Sequence, residues 1–106
     1  MRIFKNYEEL KKESPESAKE LLNHYGEGEW QAHSLRYFAT PEHYAENEIV
    51  EGWYADAAIS RDWNGAPDLM DHINLSTFSK ALEQSWDTSS HFKTSAGEVI
   101  ISSYGF

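Results

Sequence analysis

The chain of 106 residues carries 18 acidic side chains against 9 basic ones, a formal net charge of −9, with 40% hydrophobic and 14% aromatic residues and no cysteine. Length and apolar content support one globular domain spanning residues 1–106, and the missing cysteine excludes disulfide frameworks, thiolate chemistry and zinc sites built on cysteine pairs. The acid excess argues against direct binding of DNA, RNA or an anionic membrane, which need clustered Lys and Arg, so partners should be basic or neutral.

The opening stretch MRIFKNYEEL turns charged within two residues of Met1 and develops no apolar signal segment. No apolar run approaches the roughly 20 residues of a membrane span, so a cytoplasmic protein is expected. Asn6 followed by Glu9 has the form of an N-cap with its capping-box partner and predicts a helix from Tyr7 to about Glu13. Ser14 and Pro15 start a second, Pro15 to about His24, or kink a single longer one; Leu21 and Leu22 face the core and Gly26 ends it. Residues 26–39, GEGEWQAHSLRYFA, open with turn residues and offer a short strand from Ser34 to Phe38.

Thr40-Pro41-Glu42 repeats the helix-start signature and launches a long helix through YAENEIVEGWYADAAI, residues 44–59, which holds four carboxylates and no basic residue. RDWNGAPD, residues 61–68, is loop chemistry, with Pro67 able to open a short turn through Asp71. Ser76 reads as the cap of an amphipathic helix to about Ser85 bearing Phe78, Ala81 and Leu82, with Trp86 just beyond. HFKT (91–94) and EVIISSY (98–104), joined by Ser95-Ala96-Gly97, form a C-terminal β-hairpin with Gly97 at positive φ. A two-stranded ribbon is marginal, so a third strand is needed from Ser34–Phe38 or Arg2–Phe4, or the hairpin must pack on helices. The expected class is α+β: three to four helices packed on a small antiparallel sheet that includes the hairpin.

The charge is unevenly placed. Residues 36–71 hold eight acids and two bases, two thirds of the net excess. At 100° per residue Glu42, Glu46, Ile49 and Trp53 share one narrow sector of the long helix, and Glu48 and Glu51 share another with Tyr44 and Ala55. If Ile49 and Trp53 face the core, Glu42 and Glu46 repel one turn apart on the same stripe. Two readings follow: the pair sits in the first turns, favoured by the helix N-terminus, and overhangs the core edge; or the stripe is an exposed face on which aromatics and carboxylates meet a basic partner. Trp53 and Tyr54 point about 100° apart, so one of them should be partly exposed. Asp56, Asp62, Asp68 and Asp71 continue the acidity into the following loop, where Trp63 is a further candidate for an exposed aromatic.

Carboxylates along a helix can stand where DNA phosphates would stand, and aromatic anchors ringed by acids can hold and steer a basic enzyme. The function expected is therefore that of a small acidic binding or inhibitor protein rather than an enzyme. Its partner would be basic, with a nuclease or other nucleic-acid enzyme the first guess, of the DNA-mimic, anti-restriction, anti-defence or nuclease-immunity type made by phages and mobile elements. The contact set is Glu42, Glu46, Glu48, Glu51, Trp53, Tyr54, Asp56, Asp62, Trp63, Asp68 and Asp71. An apolar stripe of this kind could equally serve a homodimer.

His24, His33, His43, His72 and His91 include no i,i+4 pair and no H-E-x-x-H, so neither a metal nor a cofactor is expected. Gly26 and Gly28 lack the Lys-Ser/Thr of a phosphate loop and read as punctuation. Trp30, Trp63 and Trp86 suit packing better than ligand platforms. The alternative function is a small-molecule-binding or catalytic domain with its pocket between the long helix and the hairpin, using His72, His91 or the acidic loop.

Overall fold

The computed structural model describes residues 1–54 and 74–106, with the side chains of residues 52–54 outside that description. Strand β1, Arg2–Phe4, leads into helix α1, Tyr7–Glu13, through the cap read from the sequence: the Glu9 amide donates to Asn6 Oδ1 at 3.0 Å. The reciprocal half of the capping box is displaced by one residue, because Glu9 Oε1 accepts from the Lys5 amide, at 3.4 Å. Asn6→Ala should cost about 1 kcal/mol by urea denaturation, the usual worth of an N-cap hydrogen bond.

Helix α2, Pro15–Tyr25, is a separate helix with Pro15 in its first turn, and its amide ladder ends at Gly26, whose φ of 75° suits a residue without Cβ. Leu21 is fully buried and Leu22 partly so. A 3-10 turn, Glu29–Ala32, then leads to strand β2, Leu35–Phe38. Helix α3, Pro41–Asn47, and helix α4, Leu75–Ser85, come next, followed by strands β3, His91–Lys93, and β4, Val99–Ser102. Helix α4 is capped two residues earlier than the sequence implied: Asn74 Oδ1, not Ser76, accepts an amide, that of Thr77, at 3.1 Å. Both residue types can cap, and the choice falls to the one lying just outside the first helical residue.

The four strands form one antiparallel sheet in the order β1-β2-β4-β3, so both candidate third strands join the hairpin. Gly97 sits at φ 89° in its turn. The register aligns Phe4 with Leu35 and Ser102, and Tyr37 with Ile100 and Phe92. These side chains share one face, where Phe4, Leu35 and Ile100 pack with Tyr7 and Leu10 of α1, Ala18 and Leu21 of α2, and Trp30. On the opposite face Phe38, Val99 and Ile101 are also buried, so β4 is covered on both sides as a central strand should be. The fold class is α+β.

The chain divides into two compact units. The first comprises Met1–Thr40 and Trp86–Phe106 and holds the whole sheet with α1 and α2; the second, Pro41–Ser85, holds α3 and α4. In the second unit Ile49 is buried against Leu75 and Phe78. Among the described residues no helix is long and apolar enough to cross a membrane.

Candidate functional site

The two units differ in charge. The second unit contains nine acids and two bases, net −7, and the first contains nine acids and seven bases, net −2. Pro41 opens α3, as its fixed φ and missing N–H favour, and no Lys or Arg occurs between it and Tyr54.

After Asn47 the helix changes character: Glu48–Tyr54 is π-helical, with hydrogen bonds lengthened to i→i+5. A 100° wheel therefore holds only through α3. Among residues 41–51, Tyr44, Ala45 and Ile49 are buried, which puts Ile49 in the core and adds Tyr44, placed by the wheel beside Glu48 and Glu51. Glu42, Glu46 and Glu48 are half-buried and Glu51 is exposed. Glu42 and Glu46 thus lie at the core edge. Beside them His43, Glu46, Asn47 and Val50 line a shallow depression of about 170 Å³. Trp53 and Tyr54 belong to the π segment by their backbone, and their side chains lie outside the described residues. Asp56, Asp62, Trp63, Asp68, Asp71 and His72 lie outside them altogether.

The first unit contains a polar cluster that the sequence did not point to. Glu98, half-buried just before β4, accepts hydrogen bonds from Ser17 Oγ at 2.6 Å, Thr94 Oγ1 at 3.0 Å and the Tyr37 hydroxyl. Ser17 and Thr94 are themselves buried. Burial alone would raise the Glu98 pKa, but the three hydroxyls stabilise the carboxylate and hold it below the ordinary range. Tyr37 is pushed up to about 12 by its own burial, by its hydrogen bond to Glu98 and by that residue's charge. The cluster ties α2, β2 and the hairpin together, and Glu20 adds a second tie by accepting from the Ser95 amide and hydroxyl at 2.6 and 3.1 Å.

Among the described residues the histidines are dispersed. His24 lies against Tyr25 and Phe92, His33 against Tyr104, and His91 against Trp86 with its Nδ1 2.7 Å from Ser90 Oγ. Among the described residues no three His, Cys, Asp or Glu side chains cluster as metal ligands would. Asp87, fully exposed, has its pKa lowered by the hydroxyl and amide of Ser89, the pattern of a residue that shapes its own turn.

Trp30 packs in the core, as its type favours, with the indole Nε1 donating to the Gly26 carbonyl at 2.9 Å. Around it the EGEW segment does more than punctuate: Glu27, Gly28 and Glu29 join Tyr25, Trp30, His33 and the segment Tyr104–Phe106 in lining a concavity of about 320 Å³. Compared with known proteins, the chain matches no family model, no curated protein sequence and no solved structure.

Proposed function

We propose that the protein works by binding, and that the acidic unit Pro41–Ser85 is its contact surface for a basic protein. The reading rests on one observation: a charge of net −7 is gathered in one compact unit of the chain and net −2 in the other. Acidity kept only for solubility would be spread over both. The segment from Glu42 to Glu51 adds four carboxylates and no Lys or Arg, with Glu51 exposed and Glu42, Glu46 and Glu48 half-buried. Its passage into a π-helix agrees as well, since such segments are rare and recur at functional sites.

Carboxylates concentrated in one unit offer a phosphate-binding surface the charge it is built to accept, which makes a nuclease, methyltransferase or repressor the favoured partner. Inhibition then follows by occupying the nucleic-acid site, as a DNA mimic or immunity protein does. Asp56, Asp62, Asp68 and Asp71 extend the charge along the sequence, and Trp53, Tyr54 and Trp63 are the aromatic anchors proposed beside it.

The protein used as bait on cytosolic extract, washed at stepwise salt, should retain a nucleic-acid enzyme that elutes as salt rises. With that enzyme purified, changing Glu42, Glu46, Glu48 and Glu51 together to Gln should slow association about tenfold or more and flatten its salt dependence. Unaltered binding with an unaltered salt slope would sink the proposal.

A further inference from the structure

The sheet of the first unit ends at β1, the terminal strand in the order β1-β2-β4-β3. Among the described residues, none of the backbone hydrogen bonds made outside the sheet engages Arg2, Ile3 or Phe4, so the outer side of the strand is open. Ile3, at its centre, is 57% exposed, and Met1 beside it is 51% exposed. A β-branched side chain suits a strand, but this one faces water instead of a neighbour.

The register sets Ile3 opposite Arg36 and Arg36 opposite Ile101, so the three side chains share one face of the sheet. Arg36 is half-buried there, and among the described residues its guanidinium makes no hydrogen bond or ion pair. Taking a charge out of water costs free energy unless an opposite charge meets it. The chain has 18 acids to 9 bases and still leaves this cation unmatched, whereas Arg2, nearby in β1, is paired with Glu13.

An open strand edge is a template for one more strand, and charge decides which strand it accepts. Two copies joined through β1 would set Arg2, Lys5 and Arg36 of each against those of the other, with no acid between residues 1 and 5 to offset them. Like charges therefore oppose a second copy. A segment bearing a carboxylate meets no such penalty. Its backbone would lie roughly 5 Å beyond β1 and about 10 Å from β2, a gap that an arginine and an acidic side chain span together. We propose that the β1 edge takes up an extended acidic segment of a partner protein, with an apolar residue covering Ile3 and a carboxylate meeting Arg36. This site belongs wholly to the first unit and does not depend on the role of the acidic one.

The probe is a blocked pentapeptide, valine-threonine-glutamate-threonine-valine, whose valines and glutamate fall on one face when extended, titrated into isotopically labelled protein. A second peptide replaces its glutamate by glutamine. The amide resonances of residues 2–5 and the Arg36 side-chain N–H should shift saturably, with the glutamine peptide binding roughly fivefold more weakly. Arg36→Gln should bring the glutamate peptide down to the level of the glutamine one and leave the latter unchanged, which a merely structural arginine would not do. Ile3→Glu, at an exposed position that leaves the core intact, should abolish uptake of the glutamate peptide. The proposal is overturned by no saturable shift at millimolar peptide, by shifts confined to other residues, by equal binding of the two peptides, or by an Arg36→Gln protein that still tells them apart. Dimerisation without peptide that shifts the same amides as concentration rises would assign the edge to a second copy and overturn it as well.

Discussion

Glu98→Ala is expected to lower the stability of the protein by about 3 kcal/mol, measured by urea denaturation. The substitution strips the common acceptor from Ser17 and Thr94, residues 7% and 3% exposed, so both hydroxyls are left without it. Each such loss costs about 1–3 kcal/mol, more when the missing partner was charged. Glu98→Gln keeps one carbonyl oxygen and should recover about half. The pH dependence follows from the same contacts. Glu98 titrates below its ordinary value in the fold, so the stability it contributes is present above the unfolded carboxylate's pKa and is lost as pH falls through the lowered one. Tyr37 is shifted the other way, from 10.0 up to about 12, so its contribution is complete below pH 10 and disappears as pH rises toward 12. Tyr37→Phe should remove the alkaline arm of the stability profile and leave most of the acid arm. An unchanged profile in Glu98→Ala would mean that the cluster contributes nothing to folding.

Trp30→Ala should cost about 3–5 kcal/mol, the range for deleting a large buried aromatic. The indole is 3% exposed and is wedged between Tyr7, edge-on at 5.4 Å, and Phe106. Its removal opens a cavity beneath the 3-10 turn and frees the segment Tyr104–Phe106 from its support. The thermal midpoint should fall by upwards of roughly 12 °C, with loss of near-ultraviolet circular dichroism from the aromatic cluster. Trp30→Phe should cost less than half as much, because the Gly26 carbonyl that loses its donor is on an exposed residue and can turn to water. A midpoint unmoved by Trp30→Ala would show that the aromatic cluster adds nothing to a core that ends at Leu10 and Leu35.

Local signals were read well because their physics is local. Asn6, Pro15, Gly26, Pro41 and Gly97 each act through their own dihedrals or through an amide a few residues away, and each does in the structure what its type implies. Asn74 and Ser76 are both competent caps, and no short-range rule chooses between them. The π-helical turn at Glu48–Tyr54 has the composition of an α-helix and differs only in hydrogen-bond register, so periodicity could not reveal it. Long-range partners are invisible for a different reason: Glu98 meets Tyr37 and Ser17 across 61 and 81 residues, and nothing near residue 98 announces either. The acidity from Glu42 onward was legible as composition, whereas the concavity around Trp30 arises because the sheet brings Tyr104–Phe106 back to a turn 70-odd residues earlier, an arrangement only pairing across the sheet can specify.

The strand order β1-β2-β4-β3 has a consequence during synthesis. Strand β2 must wait for β4, since Phe38 pairs with Val99, and the whole second unit is made between them. At roughly 5–20 residues per second the ribosome takes about 3–12 s to cover that interval. Through it the sheet is limited to the ribbon of β1 and β2, too small to persist by itself, and Phe38 lacks the Val99 it pairs with. The second unit is therefore translated before the sheet of the first can be completed.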